Sequence, residues 1–189
     1  RTAVLERLSG PLCDAVLEQS GSTATLERLQ RDNLFLVPLD GQRRWYRYHS
    51  LFRDLLRARL DRDGREPVRE LLRRAADWCE TDGQLEAALR YARDAEDVDR
   101  VARIASALAQ PMYAVGRSET LMSWFEWVDE RGAVERHPTI AAQAAYFHAL
   151  NGRPAAADRW MDVAERWAGR RSAPDGDRSF AMWLATLRG

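Results

Sequence analysis

The residues best placed to do chemistry are His49 and Ser50, which stand where one structural period gives way to another. Before them, the apolar run Leu34-Phe35-Leu36-Val37-Pro38-Leu39 meets Asp40-Gly41, and Trp45-Tyr46-Arg47-Tyr48 then alternates aromatic and basic side chains. Asp-Gly between two such runs predicts a β-hairpin, because glycine supplies the positive φ of a tight turn. After them, Leu51, Phe52, Leu55, Leu56 and Leu60 recur at helical spacing and predict an amphipathic helix. The junction puts an imidazole and a hydroxyl beside the first, unbonded N–H groups of a helix, where an anion such as phosphate can be held. Either side chain can instead cap the helix. The residues alone leave both readings open.

Other candidates carry less chemistry. Residues 40–65 hold Arg43, Arg44, Arg47, Arg53, Arg57, Arg59, Arg62 and Arg65 against Asp40, Asp54, Asp61 and Asp63, a local excess of four positive charges. A basic wing of that kind can grip a DNA backbone with salt-sensitive affinity, face another module of the same polypeptide, or simply be solvated. The helix before it, Thr25 to Asn33, offers a mixed face of Glu27, Arg28, Gln30, Arg31 and Asp32, which favours DNA least. Asp77, Glu80, Glu126 and Asp129 lie among arginines and form no acid–base pair by spacing, and no metal-ligand spacing occurs. Cys13 and Cys79 fall in apolar helical contexts and read as buried free thiols. His137, before Pro138, reads as a helix-start residue, and His148 as a satisfied inter-helix histidine on a face of small residues. Trp124, Phe125, Trp127, Trp160 and Trp167 read as core or inter-repeat packing; one exposed on a concave face would be a candidate ligand contact. No residue is assigned a catalytic or metal-binding role.

The elements that position the junction follow from the pattern around it. Val4, Leu5, Leu8, Leu12, Ala15 and Val16 mark a helical stripe that Gly10-Pro11 divides. Thr23 or Thr25 is the expected cap of the next helix, with Leu26 and Leu29 inward and Asn33 its stop. Helix, helix, hairpin, helix is a small winged-helix-like unit, residues 1–62, ending near Asp61-Arg62-Asp63-Gly64. From Glu66 onward every apolar stripe is helical, in seven segments, with Pro111 ending the third, Pro138 opening the fifth and Phe180, Trp183, Leu184 and Leu187 starting the seventh. Gly83, Gly116 and Gly152 recur near the 34-residue period of tetratricopeptide repeats. Ala76, Ala88 and Ala95 around Gly83 match Ala145, Ala157 and Ala164 around Gly152, while the middle unit has Leu121 and Val128. The fold class expected is mainly α: a winged-helix-like unit with one hairpin, then an α-solenoid of tetratricopeptide-like helix pairs over residues 63–189, incomplete at its C-terminal end.

The chain has 189 residues and 29 basic against 29 acidic side chains, all the basic ones arginine. A neutral total gives no chain-wide attraction to nucleic acid or membrane. There is no bilayer-length apolar run and no signal-peptide layout, so a cytoplasmic location without membrane partners is expected. With no start methionine, the chain reads as a piece of a longer polypeptide.

Tyr48-His49-Ser50-Leu51-Phe52-Arg53-Asp54-Leu55-Leu56, followed by Leu71-Leu72-Arg73-Arg74-Ala75-Ala76-Asp77-Trp78 and Ala87-Ala88-Leu89-Arg90-Tyr91-Ala92, resembles the middle of the LuxR-type large ATP-binding regulators. These are MalT-like signal-transduction ATPases with numerous domains, and the likeness covers about residues 1–168. It implies an upstream nucleotide-binding module carrying ADP or ATP, and a winged helix clamped on it. It also implies helical repeats that sense an inducer or protein partner, and a C-terminal helix-turn-helix that reads DNA. In related switch ATPases the histidine of a Met-His-Asp-like motif contacts the β-phosphate of ADP. His49 matches that histidine, while Tyr48 and Ser50 stand where the motif has methionine and aspartate. A chain without lysine cannot contain the phosphate-binding loop GxxxxGK[ST], so no cofactor is expected on this segment itself. The implied role is a non-catalytic regulatory fragment of a signal-responsive transcription regulator. The alternatives are an interaction scaffold, including the regulatory region of a serine/threonine kinase, and a DNA-binding winged helix.

Overall fold

A computed structural model describes residues 1–32, 34–60, 62, 64–168, 182, 183 and 185. Among these the chain is mostly helical with one two-stranded antiparallel hairpin, the architecture that the two sequence periods predict. Contacts group it into two compact units, Arg1–Asp97 and Val98–Gly189. The change of sequence period near residue 62 is therefore not where packing divides, because two helices beyond it are grouped with the hairpin.

The first unit opens with a 3-10 turn, Thr2–Val4, and then α1, Gly10–Leu17. Ser9 caps α1, its hydroxyl accepting the Leu12 N–H at 3.3 Å, and Pro11 occupies the first turn, where a missing N–H costs nothing. Helix α2, Ser22–Arg31, is started differently from the sequence expectation. Neither Thr23 nor Thr25 caps it. Gly21 holds the N-cap position at φ 93°, and the Ser22 N–H is taken by the Asp14 carboxylate of α1 at 2.9 Å. The approach of Ser22, its hydroxyl first and then this N–H, holds the Asp14 carboxyl below its ordinary value. Asn33, the expected stop, lies outside the described residues. Strands β1, Leu36–Pro38, and β2, Tyr46–Tyr48, lead into α3, Ser50–Leu60. Helices α4, Arg65–Thr81, and α5, Leu85–Asp94, complete the unit. Leu71, Leu72, Ala75, Ala76 and Cys79 of α4 are buried, and Arg74 reaches α1 to pair with Glu18 at 2.9 Å.

The second unit contains α6, Val98–Ala114, α7, Ser118–Asp129, α8, Pro138–Leu150, and α9, Pro154–Ala168. Pro111 does not end α6 as expected but sits in its last turns; Gln143 of α8 donates to the Ser106 carbonyl at 3.1 Å in the preceding turn. A proline so near a helix end removes one hydrogen bond and leaves few others to disturb. Helix α8 is buried nearly all round, and its alanines let neighbouring helices approach closely. Ala76, Ala88, Ala95, Leu121, Val128, Ala145, Ala157 and Ala164, the register positions of the repeat, are buried. Of the expected seventh helix, Phe180, Leu184 and Leu187 lie outside the described residues, while Trp183 is buried against Tyr146 and Phe147.

The repeat glycines share one backbone device. Gly83, Gly116 and Gly152 have φ of 75°, 74° and 66°. Each donates its N–H three residues back, and the next residue donates five back, as in Gly83 to Glu80 and Gln84 to Cys79. This left-handed closure ends each helix and reverses the chain. Glu96, at φ 56°, makes the same two-bond turn without glycine and pairs with Arg69.

Two predictions follow from these placements. Gly83→Ala meets no atom within 4 Å, so its cost is backbone strain alone, about 1–2 kcal/mol by chemical denaturation, whereas Gly41→Ala, also in open space and without a positive φ, changes stability by less than about 0.5 kcal/mol. His148 is buried, its Nδ1 has no partner among the described residues, and burial with Arg153 and Arg159 nearby pushes its pKa below the ordinary value, against Glu126 and Glu119. The neutral ring is thus the folded form. Stability is complete above the unfolded-state value of about 6.5 and falls as pH drops below it. Between pH 7.5 and 5.5 the melting temperature falls less for His148→Leu than for the unaltered chain.

Candidate functional site

The junction at His49 is built on Tyr46. Its N–H and C=O bond to the C=O and N–H of Leu8, both at 2.8 Å, so a residue before α1 acts as a third strand beside the hairpin. On the other side Tyr46 faces Pro38, in register with Val37 opposite Arg47 and Leu36 opposite Tyr48. Because the polar groups of Tyr46 already point at Leu8, the Pro38–Tyr46 pair needs no bond. That is why a proline without an N–H fits β1. Bonded rungs alternate outward from there, with Leu39 N–H to Trp45 C=O at 2.8 Å and His49 N–H to Phe35 C=O at 2.8 Å.

The tight Asp40-Gly41 turn is not formed. Residues 40–44 make a wider loop in which the Asp40 carboxylate accepts the Arg44 N–H at 2.9 Å and the Asp40 carbonyl accepts the Arg43 N–H at 3.2 Å. The left-handed residue is Arg43, φ 53°, and Gly41 has no positive φ. Two strand residues at the loop mouth keep pairing, so closure falls further out than the dipeptide indicates.

His49 is the last rung of the ladder and the first acceptor of α3, its carbonyl taking the Arg53 N–H at 2.9 Å. Its backbone is fixed on both sides. Its side chain is exposed and bonds to nothing among the described residues, as does that of Ser50. Two neighbours brace it. The Tyr48 and Thr2 hydroxyls are 2.7 Å apart, and burial raises the Tyr48 pKa despite that bond. Phe35 sits at a left-handed φ of 56° with its ring stacked on Phe52, centroids 4.7 Å apart. Holding a bulky residue there costs energy that the stack and the His49 bond offset.

The apolar stripe of α3 is only partly covered. Leu60 is buried and Phe52 and Leu56 are half-buried, but Leu51 and Leu55 are 75% and 66% exposed. With Leu34 and Phe35, also exposed, they are large apolar side chains bordering His49 in sequence and on the hairpin side. Arg53 pairs with Asp54 at 3.8 Å; Arg57, Arg59 and Arg62 have no ion pair among the described residues. Asp61 and Asp63 lie outside those residues.

The remaining candidates resolve into structure. Burial pushes the Cys13 and Cys79 thiols up to about 12 and about 11, so neither supplies a thiolate at neutral pH. Trp124, Phe125, Trp127 and Trp160 are buried core, and Trp167 donates to Glu135 at 3.3 Å. His137 precedes α8 and pairs with Asp99 at 2.8 Å, and that bond, with Arg136 at 3.0 Å, holds the Asp99 carboxyl below its usual range. His148 is not the satisfied histidine expected, since its Nδ1 has no partner among the described residues. No cluster fit for a metal occurs among the described residues, and none of their helices is long and apolar enough to cross a membrane.

A family model described as the MalT winged helix domain matches residues 1–68. Residues 1–68 are a MalT-type winged helix domain. The kinase PknK of Mycobacterium tuberculosis is 28% identical over 177 residues, 94% of this chain and 16% of that protein. The HTH-type transcriptional regulator MalT of Vibrio cholerae is 34% identical over 122 residues, 63% of this chain and 13% of that protein. MalT of Vibrio campbellii is 28% identical over 149 residues, 77% of this chain. The chain thus spans about one-sixth of the length of these curated relatives. No solved structure matches it. Within the MalT-type domain, sequence reading missed the Leu8 bridge and the Thr2–Tyr48 bond, since neither residue lies in an alternating run. Tyr48→Phe leaves the Thr2 hydroxyl without its partner and destabilises the chain by about 0.5–1.5 kcal/mol in urea. Amide exchange at His49 and Arg53 accelerates with it.

Proposed function

We propose that this chain is the regulatory core of a larger switch protein: the MalT-type domain closes on an upstream nucleotide-binding module, and the helical array senses an inducer or protein partner. The observation that carries the reading is the uncovered surface at the start of α3. A backbone-fixed histidine with a free, exposed side chain lies next to exposed Leu51, Leu55 and Phe35. Those apolar side chains suit burial against another protein surface. There His49 donates an imidazole N–H to the β-phosphate of ADP, and the N-terminal dipole of α3 adds about 0.3–1 kcal/mol. Tyr48 and Ser50 replace the methionine and aspartate of the related motif, so no carboxylate acts beside the histidine. The chain itself carries out no catalysis in this scheme. In the full-length transcription regulator, DNA is read by a separate C-terminal domain.

A second reading attaches the same switch to a serine/threonine kinase, and the alignment of 94% of this chain to PknK favours it. The two differ in output and share the clamp.

The test uses the full-length protein. His49→Ala removes a hydrogen bond to a charged group, worth about 1.5–3 kcal/mol, and so speeds ADP release roughly tenfold or more. Leu51→Asp with Leu55→Asp relieves autoinhibition without unfolding this fragment, because both residues are exposed. Unchanged ADP retention and unchanged basal output in both variants would rule out the clamp. Tight, salt-sensitive DNA binding by the 189-residue chain would instead favour a DNA-reading wing.

A further inference from the structure

Two clefts border the loop end of the MalT-type hairpin, away from His49. A cleft of about 440 Å³ and an adjoining one of about 450 Å³ share Glu27, Gln42, Arg43 and Tyr46 as lining residues. That size is ordinary for a small-molecule site. We propose that this cleft binds a small ligand made of a flat ring carrying an acidic group.

The first support is Tyr46. It is 2% exposed, it is among the lining residues of both clefts, and its hydroxyl has no partner among the described residues. The two Leu8 bonds fix its backbone, and burial keeps the hydroxyl from water. A buried polar group without a partner costs stability and needs an explanation, which a ligand atom supplies.

The second support is charge. Arg43 lines both clefts, Arg44 the first and Arg31 the second, and none has a side-chain partner among the described residues. Against them stand Glu27, whose negative charge raises the Tyr46 pKa after burial does, and Asp82, already engaged by Gln84 at 2.6 Å. Arg43 is held at the cleft in a left-handed conformation that arginine does not favour. Three unpaired guanidinium groups select an anion and can grip a carboxylate or phosphate in bidentate fashion.

The third support is shape. Trp45 and Trp78 line the first cleft edge to face, centroids 6.3 Å apart, and both are half-buried. The Arg7 guanidinium already lies over the Trp45 ring, 4.7 Å from its centroid, so a flat ring meets Trp78 or the other face of Trp45, and the cleft guanidinium groups then reach its acidic substituent. The inference is independent of the ADP clamp, since His49 does not line either cleft.

The test titrates the 189-residue chain with indole-3-acetate and, separately, uridine 5′-monophosphate, watching the indole N–H signals of Trp45 and Trp78 by NMR. Saturable shifts of those two signals with either probe are expected. Carboxylate-only binding identifies an aromatic acid, and phosphate-only binding a nucleotide. Tryptamine, with the ring but the opposite charge, binds at least tenfold more weakly. Tyr46→Phe and Arg43→Gln each weaken the better probe fivefold or more. Tyr46→Phe keeps or raises the melting temperature, because only an unpaired hydroxyl is lost. No shift with either probe at millimolar concentration overturns the proposal. So does equal binding of tryptamine, or wild-type affinity in both variants.

Discussion

The first unit depends on one pair of hydrogen bonds. By donating to and accepting from Leu8, Tyr46 turns a two-stranded hairpin, marginal by itself in water, into the middle of a three-stranded arrangement. Everything of functional interest is referenced to that residue. Two residues on along β2, Tyr48 is tied to Thr2 and His49 takes the last rung of the ladder. One residue before it, Trp45 enters the cleft wall beside Trp78 of α4. The His49 junction and the Trp45 cleft wall therefore lie at the two ends of one strand.

That arrangement explains how a small domain can present unfavourable features without losing its fold. Phe35 and Arg43 both hold left-handed conformations, Leu51 and Leu55 face solvent, and the Tyr46 hydroxyl lacks a partner. Each is a local cost, and each lies at the hairpin or at the start of the helix it feeds. The stabilising side is remote: buried Leu5, Leu8, Leu12 and Val16, and the α1–α4 contact with its Arg74–Glu18 pair. A surface that is strained and uncovered while its foundation is well packed is what a domain with a missing partner surface looks like.

The helical array is organised by a backbone rule more than by side-chain identity. Left-handed closures at Gly83, Glu96, Gly116, Gly132 and Gly152 reverse the chain with the same pair of hydrogen bonds each time. The glycine period was readable from residue spacing, but the Glu96 member was invisible, because glutamate carries no turn signal and its conformation is held with the help of Arg69. Trp124, Trp127 and Trp160 fill the core, while Trp167 is half-buried and donates to Glu135.

The sequence by itself determined the element types, the order of hairpin and helix and the buried thiols, because hydrophobic period and turn composition are local properties. Its errors were also local signals overruled at longer range. Asp14 displaced the threonines as the start of α2, continued strand pairing opened the Asp40-Gly41 turn, and α6 ran on through Pro111. Only tertiary structure decided which leucines of α3 stay uncovered, that Leu8 pairs with Tyr46, and that Tyr46, Arg43 and the Trp45–Trp78 pair meet around one cleft. Those relations join residues dozens of positions apart. No period in the chain encodes them, because they arise where separate elements come to rest against each other.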